Sequence, residues 1–74
     1  MKINRTCTAV LTKEGGWYVA RCLELGVISQ GRTIEEAQEN LREALELYLE
    51  GEPEAEKLFS PFSPLITALQ VPTD

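Results

Sequence analysis

The sequence predicts an α+β domain of order β-β-β-α-β: a four-stranded mixed sheet with one helix packed on one face. Three observations lead there. Residues 6–12 alternate threonine and valine with small or apolar residues, the period of a half-buried strand. Glycines at 15, 16, 26 and 31 cut the following stretch into two more short segments. A single capped amphipathic run then fills residues 34–50, with one more apolar segment after it.

The first strand is expected over residues 2–13, where Thr6, Thr8, Val10 and Thr12 alternate with Cys7, Ala9 and Leu11. Glu14-Gly15-Gly16 reads as a hairpin turn, because glycine reaches positive φ without a steric cost. Residues 17–23 form the second strand and residues 27–30, between Gly26 and Gly31, the third. Thr33-Ile34-Glu35-Glu36 is a capping box, in which the Thr33 hydroxyl accepts from the Glu36 N–H and the Glu36 carboxylate reaches back. Ile34, Ala37, Leu41, Ala44, Leu45, Tyr48 and Leu49 then share one stripe, and Gly51 stands where a left-handed C′ residue belongs. Residues 52–64 hold Pro53, Pro61 and Pro64 and read as a loop that packs through Leu58, Phe59 and Phe62. Residues 65–71 read as a fourth strand. A right-handed crossover through the helix would lay it parallel to the first strand at the far edge.

The hairpin register follows from side-chain size. Small Ala20 and Cys22 suit the space beneath a helix, whereas Trp17 and Arg21 do not. Cys7, Ala9 and Leu11 are the matching face of strand one. An odd set against an even set needs a two-residue loop, which Gly15-Gly16 supplies. Thr8, Val10, Thr12, Trp17, Val19 and Arg21 are then left on the uncovered face, a half-apolar candidate contact surface.

With 74 residues, 43% of them hydrophobic and 26% charged, the chain fits one globular domain, residues 1–74. No DNA-binding appendage is expected after the last strand. The net charge is −5 and unevenly placed: residues 1–34 carry +3, residues 35–56 carry −8, and the remainder is neutral. Phosphate binding needs clustered cations, so direct nucleic-acid binding is not expected and a basic protein partner suits the chain better. The N-terminus lacks the apolar core of a signal peptide and no run is long enough to span a membrane, so the expectation is a cytoplasmic protein with reduced cysteines.

The chain has no histidine, which removes Ser-His-Asp and Cys-His catalysis and histidine metal sites. No phosphate-binding loop or dinucleotide fingerprint occurs. Cys7 and Cys22 read first as two small buried thiols, next as a cross-strand disulfide and last as a nucleophile. No metal site is expected, because the expected strands hold no carboxylate except Glu24 at an end. The glutamate-rich helix is either a solvated face or a docking face. Trp17 is either edge packing or an interface anchor.

The segment from Tyr18 through Cys22-Leu23-Glu24-Leu25-Gly26 runs into Ser29-Gln30-Gly31-Arg32-Thr33 and Glu35-Glu36-Ala37. It continues through Asn40-Leu41-Arg42-Glu43-Ala44-Leu45-Glu46-Leu47-Tyr48-Leu49. As an ordered set over residues 17–50, this resembles the HicB-type antitoxin family, as a short stand-alone member. The resemblance implies a partial RNase H-like fold and a non-catalytic role in a type II toxin–antitoxin system. There the domain would bind and neutralise a small basic ribonuclease toxin of the HicA type. The contacts expected are the helix face of Glu35, Glu39, Glu43 and Glu46, or the sheet face of Trp17, Val19 and Arg21. No cofactor is expected. The alternative is a homo-oligomeric scaffold or ligand-binding domain, a homodimer built on the open sheet face or on the strand-four edge. A metal-dependent nuclease is the remote third reading.

Overall fold

A computed structural model describes residues 6–59 and 66–73. Its elements are β1 (Ala9–Glu14), β2 (Trp17–Cys22), β3 (Ile28–Gly31), α1 (Ile34–Gly51) and a 3-10 turn, η1 (Pro53–Leu58). The three strands make an antiparallel sheet in the order β1-β2-β3.

The hairpin has the register argued from side-chain size. Ala9 opposes Cys22, Leu11 opposes Ala20, and Glu14 opposes Trp17 across Gly15-Gly16. Gly15 takes φ +62, so the first loop position requires glycine on conformational grounds. Gly26 (φ +72) closes the next turn: its N–H donates to Cys22 O at 2.8 Å, and Cys22 N–H donates to Val27 O at 2.8 Å.

Helix α1 begins at Thr33, whose Oγ1 accepts from Glu36 N–H at 3.0 Å. Among the described residues the reciprocal half of the capping box is not formed. Ala37, Leu41 and Leu45 are the buried helix positions, and they meet Ala20, Cys22 and Phe59 in the core. Cys7, Ala9, Leu11, Tyr18, Leu25, Val27 and Leu49 pack around it. Ile34 and Tyr48 of the expected stripe stay exposed, while Leu49, its last member, packs against the core.

Close approach of helix and sheet rests on small residues. Ala20 and Ala37 are fully buried, and a Cβ built on Gly31 would lie 2.5 Å from Ala37 N. Asn40 Nδ2 donates to Gln30 O at 2.8 Å, which ties the second turn of α1 to β3. The helix therefore lies over β3 and β2 rather than centrally. Ala9 and Leu11 of β1 are only half-buried.

Other expectations change as well. Gly51 is the last helical residue and has no positive φ; Glu52 caps the helix with its N–H on Tyr48 O at 3.0 Å. The helix stops there because Pro53 opens a 3-10 turn and has no N–H to continue the ladder. Within the expected loop, Phe59 is buried and Leu58 exposed, while Phe62 lies outside the described residues. Thr8 is buried rather than part of the open face. It precedes the β1 ladder, and its N–H and C=O are both taken by the 22–27 turn, through Glu24 Oε1 at 2.9 Å and Leu23 N–H at 2.9 Å. Among the described residues no fourth strand is formed: of the expected segment Leu65 lies outside the described residues, residues 66–71 belong to no strand, and Ile66, Leu69 and Val71 are exposed. Alternating apolar residues identify a segment able to pair, but a strand exists only when an edge accepts its hydrogen bonds.

Candidate functional site

The seven candidate contact residues divide between two sides of the molecule. Trp17, Val19 and Arg21 alternate along β2 with buried Ala20 and Cys22, so they point away from α1. Glu35, Glu39, Glu43 and Glu46 lie on the outer surface of α1, all exposed. The sheet separates the two groups.

The open sheet face is broader than the hairpin register alone suggested. Val10, Thr12, Glu14, Val19, Arg21 and Leu23 line a shallow groove across β1 and β2. Ile28 pairs with Arg21 and Gln30 with Val19, which brings β3 onto the same face. Val10, Trp17, Leu23 and Ile28 are all exposed apolar groups. The Arg32 guanidinium stands 4.6 Å from the Trp17 ring centroid, a cation–π contact that gives this end of the face a positive charge. The β2–β3 register could have revealed Ile28 in the sequence, since Gly26 and Gly31 already bracketed the strand.

The helix face has the opposite character. Glu35 and Glu36 occupy its first turn, where the helix dipole favours acids, and no base stands in its last turn. Arg42 Nη1 pairs with Glu39 Oε2 at 2.9 Å, an exposed contact of about 0.3–0.5 kcal/mol. Leu47, 69% exposed, sits one turn after Glu43 and one before Glu50. It is an apolar group framed by acids, the pattern of an interface anchor with a charged surround. Its place off the buried stripe was the sequence signal for it.

A third cluster lies where the 22–27 turn meets the chain before β1. Cys7 is half-buried and Cys22 fully buried, and both are free thiols. Cys22 Sγ donates to Glu24 Oε1 at 3.5 Å, and Thr8 N–H donates to the same oxygen at 2.9 Å. Burial, then the hydrogen-bonding contact with Cys22 and the nearby Glu24 carboxylate, push the Cys7 thiol up to about 12. A thiol so held is no nucleophile at neutral pH, which removes that reading of Cys7. Burial alone would raise Glu24, but its hydrogen bonds from Thr8 outweigh this and hold the carboxyl below its ordinary 4.5.

Among the described residues, no helix is long and apolar enough to cross a membrane. No family model matches the chain, and no solved structure matches it. It is 45% identical over 51 residues to a UPF0150 protein of Helicobacter pylori strain J99, covering 68% of this chain and 69% of the relative. On the strength of that similarity the chain belongs to the UPF0150 family.

Proposed function

We propose that this protein is a HicB-like antitoxin domain that binds and neutralises a small basic HicA-type ribonuclease, acting by contact and not by catalysis. The observation that carries the reading is the ordered motif set of residues 17–50, which falls on one contiguous β2–β3–α1 unit. Charge selects the docking surface. Arg21 and Arg32 stand on the open sheet face, whereas Glu35, Glu39, Glu43 and Glu46 surround the exposed helix and carry most of its charge outward. A basic partner is steered to the helix side, with Leu47 as the apolar contact. On this reading residues 66–71 join an edge of the sheet upon assembly and complete a partial RNase H-like, four-stranded fold.

Co-purification with a HicA-type protein tests the proposal. The complex should weaken as salt rises, and Glu39→Gln, Glu43→Gln and Glu46→Gln together should weaken it further. Arg21→Ala should leave it intact. Absence of any complex at low salt would refute the antitoxin reading.

A second reading, a homo-oligomeric scaffold, has its own support. The exposed Ile66–Val71 stretch and the apolar sheet face of Trp17 and Ile28 suit a homodimer. Sedimentation at micromolar concentration without a partner tests it, since this reading requires a dimer of the isolated chain and a monomer would remove it.

A further inference from the structure

The Cys7, Cys22 and Glu24 cluster takes no part in either proposed surface, and its ligand atoms lie within 4.8 Å of one another. We infer that it is a binding site for one thiophilic divalent cation of the Zn2+ class, ligated by Cys7 Sγ, Cys22 Sγ and the Glu24 carboxylate.

The geometry supports this in three ways. Zinc bonds of about 2.3 Å to sulfur and about 2.1 Å to oxygen give a tetrahedral S···O edge of roughly 3.6 Å and an S···S edge of roughly 3.8 Å. Cys22 Sγ and Glu24 Oε1 already stand 3.5 Å apart. The remaining separations need close by no more than about 1.2 Å to reach those edges. Next, the carboxylate is held in place by the backbone, because Thr8 N–H donates at 2.9 Å to Glu24 Oε1, the oxygen that faces Cys22. Such an outer hydrogen bond is what orients a metal-binding carboxylate. Last, two of the three ligands, Cys22 and Glu24, are mounted on a closed turn, and Cys7 lies on the chain before β1, next to Thr8, whose N–H and C=O both bond to that turn. Cys22 is the last residue of β2, and the Gly26 N–H to Cys22 O bond at 2.8 Å fixes the loop that carries Glu24.

The donor set decides the cation. Two sulfurs exclude Mg2+ and Ca2+, which take oxygen ligands, and favour Zn2+ or Cd2+. Binding converts both thiols to thiolates and releases their two protons to solvent, while Glu24 enters already ionised. The mutual repulsion of three anionic groups then becomes attraction to the cation. Three protein ligands leave a fourth position for water.

The test uses the full chain, reduced with a non-chelating phosphine and freed of metal. Cd2+ is titrated while thiolate-to-cadmium charge-transfer absorption is followed, and Zn2+ affinity is measured by competition with a chromophoric chelator. The inference predicts absorption that saturates at one Cd2+ per chain. Cys7→Ser and Glu24→Gln should each weaken Zn2+ binding by at least the roughly 10–100-fold that loss of an outer hydrogen-bond partner costs, whereas Glu54→Gln, a surface carboxylate elsewhere, should not. Circular dichroism of each variant separates ligand loss from unfolding, and the cadmium titration of the unaltered chain needs no variant. Absence of charge-transfer absorption, or equal Zn2+ affinity in the unaltered chain, Cys7→Ser and Glu24→Gln, would overturn it. So would saturation at half an equivalent, which would mean a cation shared between two chains.

Discussion

Replacing Gly31 by alanine tests how the helix is seated on the sheet. The added Cβ would lie 2.5 Å from Ala37 N, 2.8 Å from the Glu36 carbonyl carbon and 2.9 Å from Glu36 Cβ. Carbon contacts are optimal at about 3.5–4.0 Å, so the first turn of α1 must retreat by roughly 0.6–1 Å. Two of the three obstructing atoms belong to the backbone and cannot swing aside as a side chain would. The retreat also pulls on the Asn40 to Gln30 bond of 2.8 Å and loosens Ala37 against Ala20. Overpacking of this kind costs about 2–3 kcal/mol. A domain of 74 residues is stable by only about 4–11 kcal/mol. At about 4–8 °C per kcal/mol, the melting temperature should fall by roughly 10–20 °C. Thermal and urea unfolding by far-ultraviolet circular dichroism measure it. Gly16→Ala is the control, since Gly16 has open space around it and no positive φ; it should change stability by less than about 0.5 kcal/mol. If Gly31→Ala melts within about 2 °C of the parent, the close helix–sheet contact argued here is wrong.

The remaining predictions concern caps, helix propensity and pH. Thr33→Ala should lose about 1 kcal/mol in urea unfolding, because the Glu36 N–H loses its acceptor. Gly51→Ala should gain about 0.5–1 kcal/mol in the same assay, since Gly51 is helical, unobstructed and not in a left-handed conformation. Glu24 is held below 4.5 in the folded chain, so its contribution is complete above that pH and is lost as pH falls through the lower folded value. Stability measured against pH should therefore drop on the acid side, and Glu24→Gln should flatten that limb. The Cys7 thiol is raised from 9.0 to about 12, so its contribution is complete below pH 9 and is lost as pH rises toward 12. Cys7→Ala should flatten the alkaline limb of the same profile.

Local signals were read directly from the sequence. The Thr33 cap, the Ala37–Leu41–Leu45 stripe and the Gly15 turn each follow from neighbours within a few residues. The odd-to-even hairpin register also emerged, because a two-residue loop leaves only one pairing that buries Ala20 and Cys22. Long-range features did not. Whether residues 66–71 find an edge depends on what that edge already holds, and no local pattern encodes this. The burial of Thr8 arises from a carboxylate sixteen positions away, and the Cys7–Cys22–Glu24 cluster arises from the same fold-back. The two candidate surfaces were each legible as compositions, acidic on the helix and half-apolar on the sheet. Their separation onto opposite sides required the register and the helix position together. Leu47 stood outside the stripe in the sequence, yet its acidic frame emerges only from helical geometry.

The central functional claim is neutralisation of a basic ribonuclease by contact. The direct measurement is RNA cleavage by a purified HicA-type toxin, followed while this protein is titrated in at low salt. The account predicts that cleavage ceases near equimolar protein and returns as salt is raised. Undiminished cleavage at large molar excess would contradict it.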